Sequence, residues 1–234
     1  MRLAESLKDN DVHIWRVLLD DPQWDDVAAV LNDAEREKAA RYRTLTLRQH
    51  YRRCRSALRV ILSRYVAPNV DAAAANIVFQ YGQYGKPEIA DCPIAFNVSH
   101  SGEYALVALA RYPLGVDLER AGKERSDLDG LIDIVCHPSE QVALALLTDT
   151  EKTAQFYRLW THKEAYCKMQ GMGLQQTLTM LRFQSTASDH VWQVYADDHV
   201  PPTPSFIHQL DAPVGYAASL CLQLAAAQIT YFTA

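Results

Sequence analysis

Tyr104-Ala105-Leu106-Val107-Ala108-Leu109-Ala110-Arg111-Tyr112-Pro113-Leu114-Gly115-Val116-Asp117-Leu118-Glu119 contains two strand-like runs joined by a turn. The first run, Tyr104 to Ala110, is apolar almost throughout and has the length of a buried strand. Pro113 and Gly115 punctuate the chain. Val116-Asp117-Leu118-Glu119 then alternates apolar with acidic residues, as a strand buried on one face does. Upstream the texture is also β, with Asn76-Ile77-Val78-Phe79, a turn at Tyr84-Gly85-Lys86-Pro87, and Ile94-Ala95-Phe96-Asn97-Val98-Ser99.

Further upstream, the chain reads as helix from Leu31 to about Ala67, after a strand-like run at Val12 to Val17. Asn32 and Glu35 resemble a capping box that starts this helix, and Thr44-Leu45-Thr46 interrupts it. Downstream, helix returns at His137-Pro138, is most legible from Phe156 to Met169, and ends near Gly171. The tail holds candidate strands at Leu178 to Phe183, Val191 to Tyr195, Ser205 to Leu210 and Tyr216 to Leu222. Helices followed by strands therefore occur twice. That order predicts an α+β fold of two halves, residues 1–112 and 113–234, with helices packed on mainly antiparallel sheets.

Composition sets the outer bounds. A chain of 234 residues with 49% hydrophobic content can bury a sizeable core. With 23 basic against 28 acidic side chains, the formal charge of −5 argues against a general nucleic-acid binder. Cys54, Cys92, Cys136, Cys167 and Cys221 contain no C-x-x-C pair and read as free thiols of a reducing cytoplasm. The first fifteen residues carry Glu5, Lys8, Asp9 and Asp11 and lack a signal peptide's apolar run. No stretch reaches the roughly 20 apolar residues of a membrane span. A G-x-S-x-G elbow and a phosphate-binding glycine loop are absent, and His162 has no histidine partner four residues on.

Three stretches carry chemistry. Asp117 and Glu119 leave one face of their strand together. The pattern fits the wet face of a half-buried sheet, and it also fits a hard divalent cation that relieves the repulsion between two carboxylates. Trp160, Glu164 and Lys168 are spaced by four and share a helix face. They read either as a surface ion pair beside an aromatic or as a third carboxylate with a nearby cation. Ser99 and His100 lie between two apolar strands, with Lys86 upstream, and read as a polar turn or as phosphate contacts. Arg52, Arg53, Arg55, Arg59 and Arg64 lie around the faces of one helix, opposite its apolar stripe. They make up the densest positive charge in the chain and fit a solvated face or a phosphate-binding one.

Taken in order, Gly85-Lys86-Pro87, Phe96-Asn97-Val98-Ser99-His100-Ser101, Gly115-Val116-Asp117-Leu118-Glu119 and Trp160-Thr161-His162-Lys163-Glu164-Ala165 resemble the motif series of the 4'-phosphopantetheinyl transferases, specifically the monomeric, two-halved surfactin-type class. The resemblance implies two pseudo-symmetric α+β halves with the active site and coenzyme A in the cleft between them. It implies Mg2+, or Mn2+, on Asp117, Glu119 and Glu164. Ser99 and His100 would contact the nucleotide phosphates of coenzyme A, and Lys38, Arg55 and Lys86 would hold its 3'-phosphate or the neighbours of that phosphate; these five residues are the implied cofactor contacts. Glu164 and Lys168 would be the catalytic base and acid. The implied reaction moves phosphopantetheine to a serine of an apo acyl or peptidyl carrier protein and releases 3',5'-adenosine bisphosphate. Arg52, Arg53 or Arg59 would steer an acidic carrier by charge complementarity. The resemblance also implies a monomer, and the composition a cytoplasmic protein without nucleic-acid or membrane partners. Two other readings of the same residues are a non-catalytic coenzyme A or nucleotide-binding module and a metal-dependent nucleotide phosphohydrolase.

Overall fold

The computed structural model describes residues 7–66, 74–122, 127–173, 178–196, 201 and 203–234. The expected helix end at Ala67 and the acidic Glu5 lie outside these residues. The chain divides into two compact units, Met1–Tyr112 with Gln228–Ala234, and Pro113–Ala227. Residues 228–234, which the sequence reading placed with the second half, belong by contact to the first.

In the first unit, β1 (Asp11–Leu18) precedes α1 (Asp33–Ala40) and α2 (Leu45–Val66). A short hairpin of β2 (Gln80–Tyr81) and β3 (Pro87–Glu88) follows, then β4 (Ala95–Ser101) and β5 (Tyr104–Ala110). The Asn32 side chain accepts from Glu35 N, and the Glu35 side chain accepts from Asn32 N, so the expected capping box starts α1. The helix breaks over residues 41–44, so Thr44 lies in the interruption, while Leu45 and Thr46, expected to share it, already belong to α2. Asn76 to Phe79, expected as a strand, forms no ladder; pairing begins only at Gln80. Cys54, Ala57, Leu58, Ile61, Leu62 and Tyr65 line the buried face of α2 and pack with Trp15, Val17, Phe96, Val107 and Leu109.

The sheet of this unit is ordered β11-β1-β5-β4, with β11 at Gln228–Thr233. The sequence reading did not find β11, because its alternating residues are largely exposed and its register partners lie more than two hundred positions away. It pairs parallel with β1, from Asp11↔Gln228 to Arg16↔Thr233, and Phe232 stacks on Trp15 at 4.7 Å between ring centroids. The β1–β5 and β4–β5 pairings are antiparallel.

The second unit begins with β6 (Gly115–Arg120) and continues through α3 (Leu128–Val135), α4 (Pro138–Leu144) and α5 (Asp149–Gln170). Strands β7 (Leu181–Ser185), β8 (Val191–Ala196), β9 (Phe206–Gln209) and β10 (Tyr216–Leu222) complete an antiparallel sheet ordered β6-β10-β9-β8-β7. Leu178–Met180, expected to open a strand, is a 3-10 turn before β7. Phe156, Tyr157, Leu159, Ala165, Cys167 and Met169 of α5 pack against Leu181, Val194, Ile207 and Cys221. Gly171 ends α5 in the left-handed conformation that glycine adopts without strain. No helix among the described residues is long and apolar enough to cross a membrane.

Candidate active site

Gly115 determines how closely α5 lies on β6. A Cβ at this position would collide with the carbonyl oxygen of Ala165 and the amide nitrogen of Met169, so helix and strand meet backbone to backbone. Residues 115, 117 and 119 share one strand face, and the face that carries Gly115 is the one against α5. Asp117 is consequently buried beneath the helix, and Lys168 Nζ donates to its Oδ1 at 2.6 Å. Glu164, one turn earlier on α5, places Oε2 3.9 Å from the same ammonium.

The electrostatics of this cluster are dominated by carboxylates. Burial pushes the Glu164 carboxyl up, the charges of Asp117 and Glu119 push it further, and Lys168 pulls back; the outcome is about 7. For Lys168, burial alone would lower the pKa, but Asp117, Glu164 and Glu119 outweigh it and raise the value above its ordinary one. Asp117, Glu119, Glu164 and Lys168, predicted from spacing and resemblance, thus come together within one unit.

Among the described residues, however, no group of three or more His, Cys, Asp or Glu side chains stands close enough to hold a metal ion. The position where a cation would relieve Asp117 is taken by the Lys168 ammonium. The donor set itself consists of hard carboxylate oxygens, the chemistry that Mg2+ and Mn2+ accept.

Two neighbours on α5 have structural roles. Lys163 is fully buried, and its ammonium is satisfied by Leu178 O at 2.7 Å, Leu181 O at 3.0 Å and Glu140 Oε2 at 2.8 Å. It clamps the helix onto the start of β7 and the first turn of α4. His162 is buried against Phe183 and Trp192, at 5.1 and 4.9 Å between ring centroids. Burial, then Arg158 and Lys163, bring its pKa down to about 3, so it stays neutral. A recess lined by Ser139, Glu140, Arg182, Phe183, Gln184 and Tyr195 contains none of the predicted site residues.

The predicted phosphate contacts all lie in the first unit. Along β4, Ser99 is buried and His100 exposed, as the alternation of a strand requires. Lys86 sits at the end of the β2–β3 turn, where Gly85 has φ +79° and Gly82 N donates to Lys86 O at 3.0 Å. Lys38 is exposed on α1, with its ammonium 5.5 Å from the centre of the Tyr51 ring.

Arg55 is placed differently from the expectation. Its Nε and Nη2 donate to Glu35 Oε1 at 2.9 and 2.7 Å, while Arg59 Nε donates to Glu35 Oε2 at 2.8 Å. Arg53 is likewise buried, donating to both oxygens of Asp25 and to Leu19 O. The reading of the α2 arginines as lying around faces away from the core is therefore corrected for Arg53, Arg55 and Arg59. Of the three arginines proposed to steer a carrier, only Arg52 is exposed. The sequence signal for this was Glu35 itself, an acidic residue beside an arginine-rich helix, which the capping box alone had accounted for.

The comparisons with known proteins give the class first. Residues 113–221, which include the whole carboxylate cluster, match the family model described as the 4'-phosphopantetheinyl transferase superfamily. A protein of Nostoc sp. named 4'-phosphopantetheinyl transferase HetI is 35% identical over 176 residues, covering 72% of each chain. The 4'-phosphopantetheinyl transferase gsp of Aneurinibacillus migulanus is 27% identical over 81% of this chain and 76% of its own. The 4'-phosphopantetheinyl transferase Sfp of Bacillus subtilis (strain 168) is 28% identical over 69% of this chain and 70% of its own. The chain belongs to the 4'-phosphopantetheinyl transferase superfamily.

Proposed function

We propose that this protein transfers the 4'-phosphopantetheine group of coenzyme A to a serine of an apo acyl or peptidyl carrier protein and releases 3',5'-adenosine bisphosphate. The observation that carries this reading is the cluster of Glu164, Lys168, Asp117 and Glu119, held together by the close seating of α5 on Gly115. It occurs in a chain whose relatives are named for that transfer. Those names also disfavour a bare binding module or a nucleotide phosphohydrolase.

Asp117, Glu119 and Glu164 are the residues that would hold Mg2+, or Mn2+, and a cation bound there would neutralise charge on the pyrophosphate of coenzyme A. Lys38, Lys86, Ser99 and His100 are assigned to the nucleotide phosphates, with Arg55 acting through Glu35 rather than by direct contact. As the carrier serine oxygen bonds to the β-phosphorus, Glu164 accepts its proton. The bond from that phosphorus to the bridging oxygen breaks. Lys168 leaves Asp117 and donates to the departing phosphate. The same resemblance supports a monomer, and the composition a cytoplasmic protein.

The test is intact-mass spectrometry of an apo acyl and an apo peptidyl carrier protein, each incubated with the enzyme, coenzyme A and Mg2+. The expected result is a mass gain of one phosphopantetheine, lost with EDTA or with Glu164→Ala. Coenzyme A binding without any gain on either carrier would favour the binding module instead.

A further inference from the structure

The buried Glu35 cluster reaches beyond the two helices that form it. Arg59 Nη1 donates to Ala74 O at 3.0 Å and to Ile77 O at 2.9 Å. The Phe79 ring lies against both guanidinium groups, 4.6 Å from Arg55 and 5.0 Å from Arg59. Arg55 Nη2 donates to the hydroxyl of Tyr81 at 3.1 Å. Glu35 therefore anchors the chain from Ala74 to Tyr81 through two arginines.

Tyr81 is the last residue of β2, in register with Pro87 of β3, and the turn between them carries Lys86. On the other side, Glu35 lies three residues before Lys38 on α1. The Lys38 ammonium rests over Tyr51, which is one helical turn before Arg55 on α2. The two lysines assigned to coenzyme A phosphate are thus carried by two separate elements, and both elements are fastened to one carboxylate.

We infer that Glu35, Arg55 and Tyr81 form a positioning hub that fixes the separation of Lys38 and Lys86 and so sets the affinity for the 3'-phosphate of coenzyme A. The inference rests on the function proposed above. The Tyr81 bond is the informative part. Tyr81 is 57% exposed and contributes little to the core, so its hydroxyl contact fixes the hairpin rather than the fold. Glu35 and Tyr81 touch no substrate in this account and act through the lysines.

Tyr81→Phe removes that single contact. Steady-state kinetics with coenzyme A and with 3'-dephospho-coenzyme A, together with a urea midpoint, would read its effect. Losing a hydrogen bond to a charged donor should raise KM for coenzyme A by about three- to tenfold. kcat, KM for the carrier, KM for 3'-dephospho-coenzyme A and the urea midpoint should remain within twofold or unchanged. Glu35→Gln should raise the same KM further and also lower stability. If it fails to fold, Tyr81→Phe still decides the question.

A wild-type protein that favours coenzyme A over the dephospho form, with Tyr81→Phe matching it on both, would overturn the hub alone. Equal rises on both nucleotides would do the same, since they would mark general loosening. A wild-type protein with equal KM for the two nucleotides would overturn the 3'-phosphate assignment and the hub with it. No transfer from either nucleotide would overturn the function itself.

Discussion

Glu35 and Glu164 are both buried helical carboxylates, at 3% and 9% exposure, but the charges around them are balanced in opposite ways. Glu35 receives four donors, the Asn32 amide and the guanidinium groups of Arg55 and Arg59. Glu164 has one ammonium 3.9 Å away, and burial, added to by the charges of Asp117 and Glu119, raises its pKa to about 7. A carboxylate surrounded by cations closes a structural knot. A carboxylate surrounded by its own kind carries negative charge that a ligand from outside can use. The comparison separates a carboxylate that builds the first unit from one proposed to act in the second.

The strongest way to break this contrast is Glu164→Gln. Losing the proposed general base should lower kcat/KM by about a thousandfold, read by single-turnover transfer. The same change should raise the urea midpoint of the metal-free protein, because it removes a buried carboxylate repelled by its neighbours. Glu35→Ala should do the reverse. Stranding two buried guanidinium groups should cost about 3 kcal/mol or more, read as a fall in urea midpoint. If both variants lost stability alike, the distinction between the clusters would disappear.

Gly115→Ala tests the seam that brings the second cluster together. Wedging a methyl group between backbones should cost about 2 kcal/mol, read by thermal melting, and should slow transfer more than that loss explains.

The most gradual effect is in pH. A carboxyl held near 7 keeps a proton that the unfolded chain releases near 4.5, so its contribution to metal-free stability is lost as pH rises between those values. The slope from this group is at most about 1.4 kcal/mol per pH unit. His162, held neutral by burial, acts oppositely, and its contribution is lost as pH falls below about 6.5. Melting curves of wild type and Glu164→Gln across this range isolate the carboxyl: the wild type should lose stability relative to the variant as pH rises, and parallel curves would contradict the assignment.

Much of the second unit was legible because its signals are local. The alternation of Val116-Asp117-Leu118-Glu119 and the four-residue spacing of Trp160, Glu164 and Lys168 each specify a face, and the faces do meet across Gly115. What escaped the sequence were pairings set by distant chain. Strand β11 is found only through its register with β1. The burial of Arg55 and Arg59 depends on a glutamate twenty or more positions upstream, so a charge-rich helix read as charged outside its apolar stripe buries part of that charge. Lys163, taken only as part of a motif, is a clamp on β7 for the same reason.

The most direct test of the central claim, that the Glu164 cluster is the divalent-ion site of a phosphopantetheinyl transferase, is a calorimetric titration of Mg2+ into the coenzyme A-bound protein, run in parallel on Glu164→Gln. The account predicts saturable binding of one Mg2+ by the wild type and at least about tenfold weaker binding by the variant, whose neutral amide is a poorer ligand for a hard cation. Equal affinity in the two proteins, or no Mg2+ binding by the wild type, would contradict it.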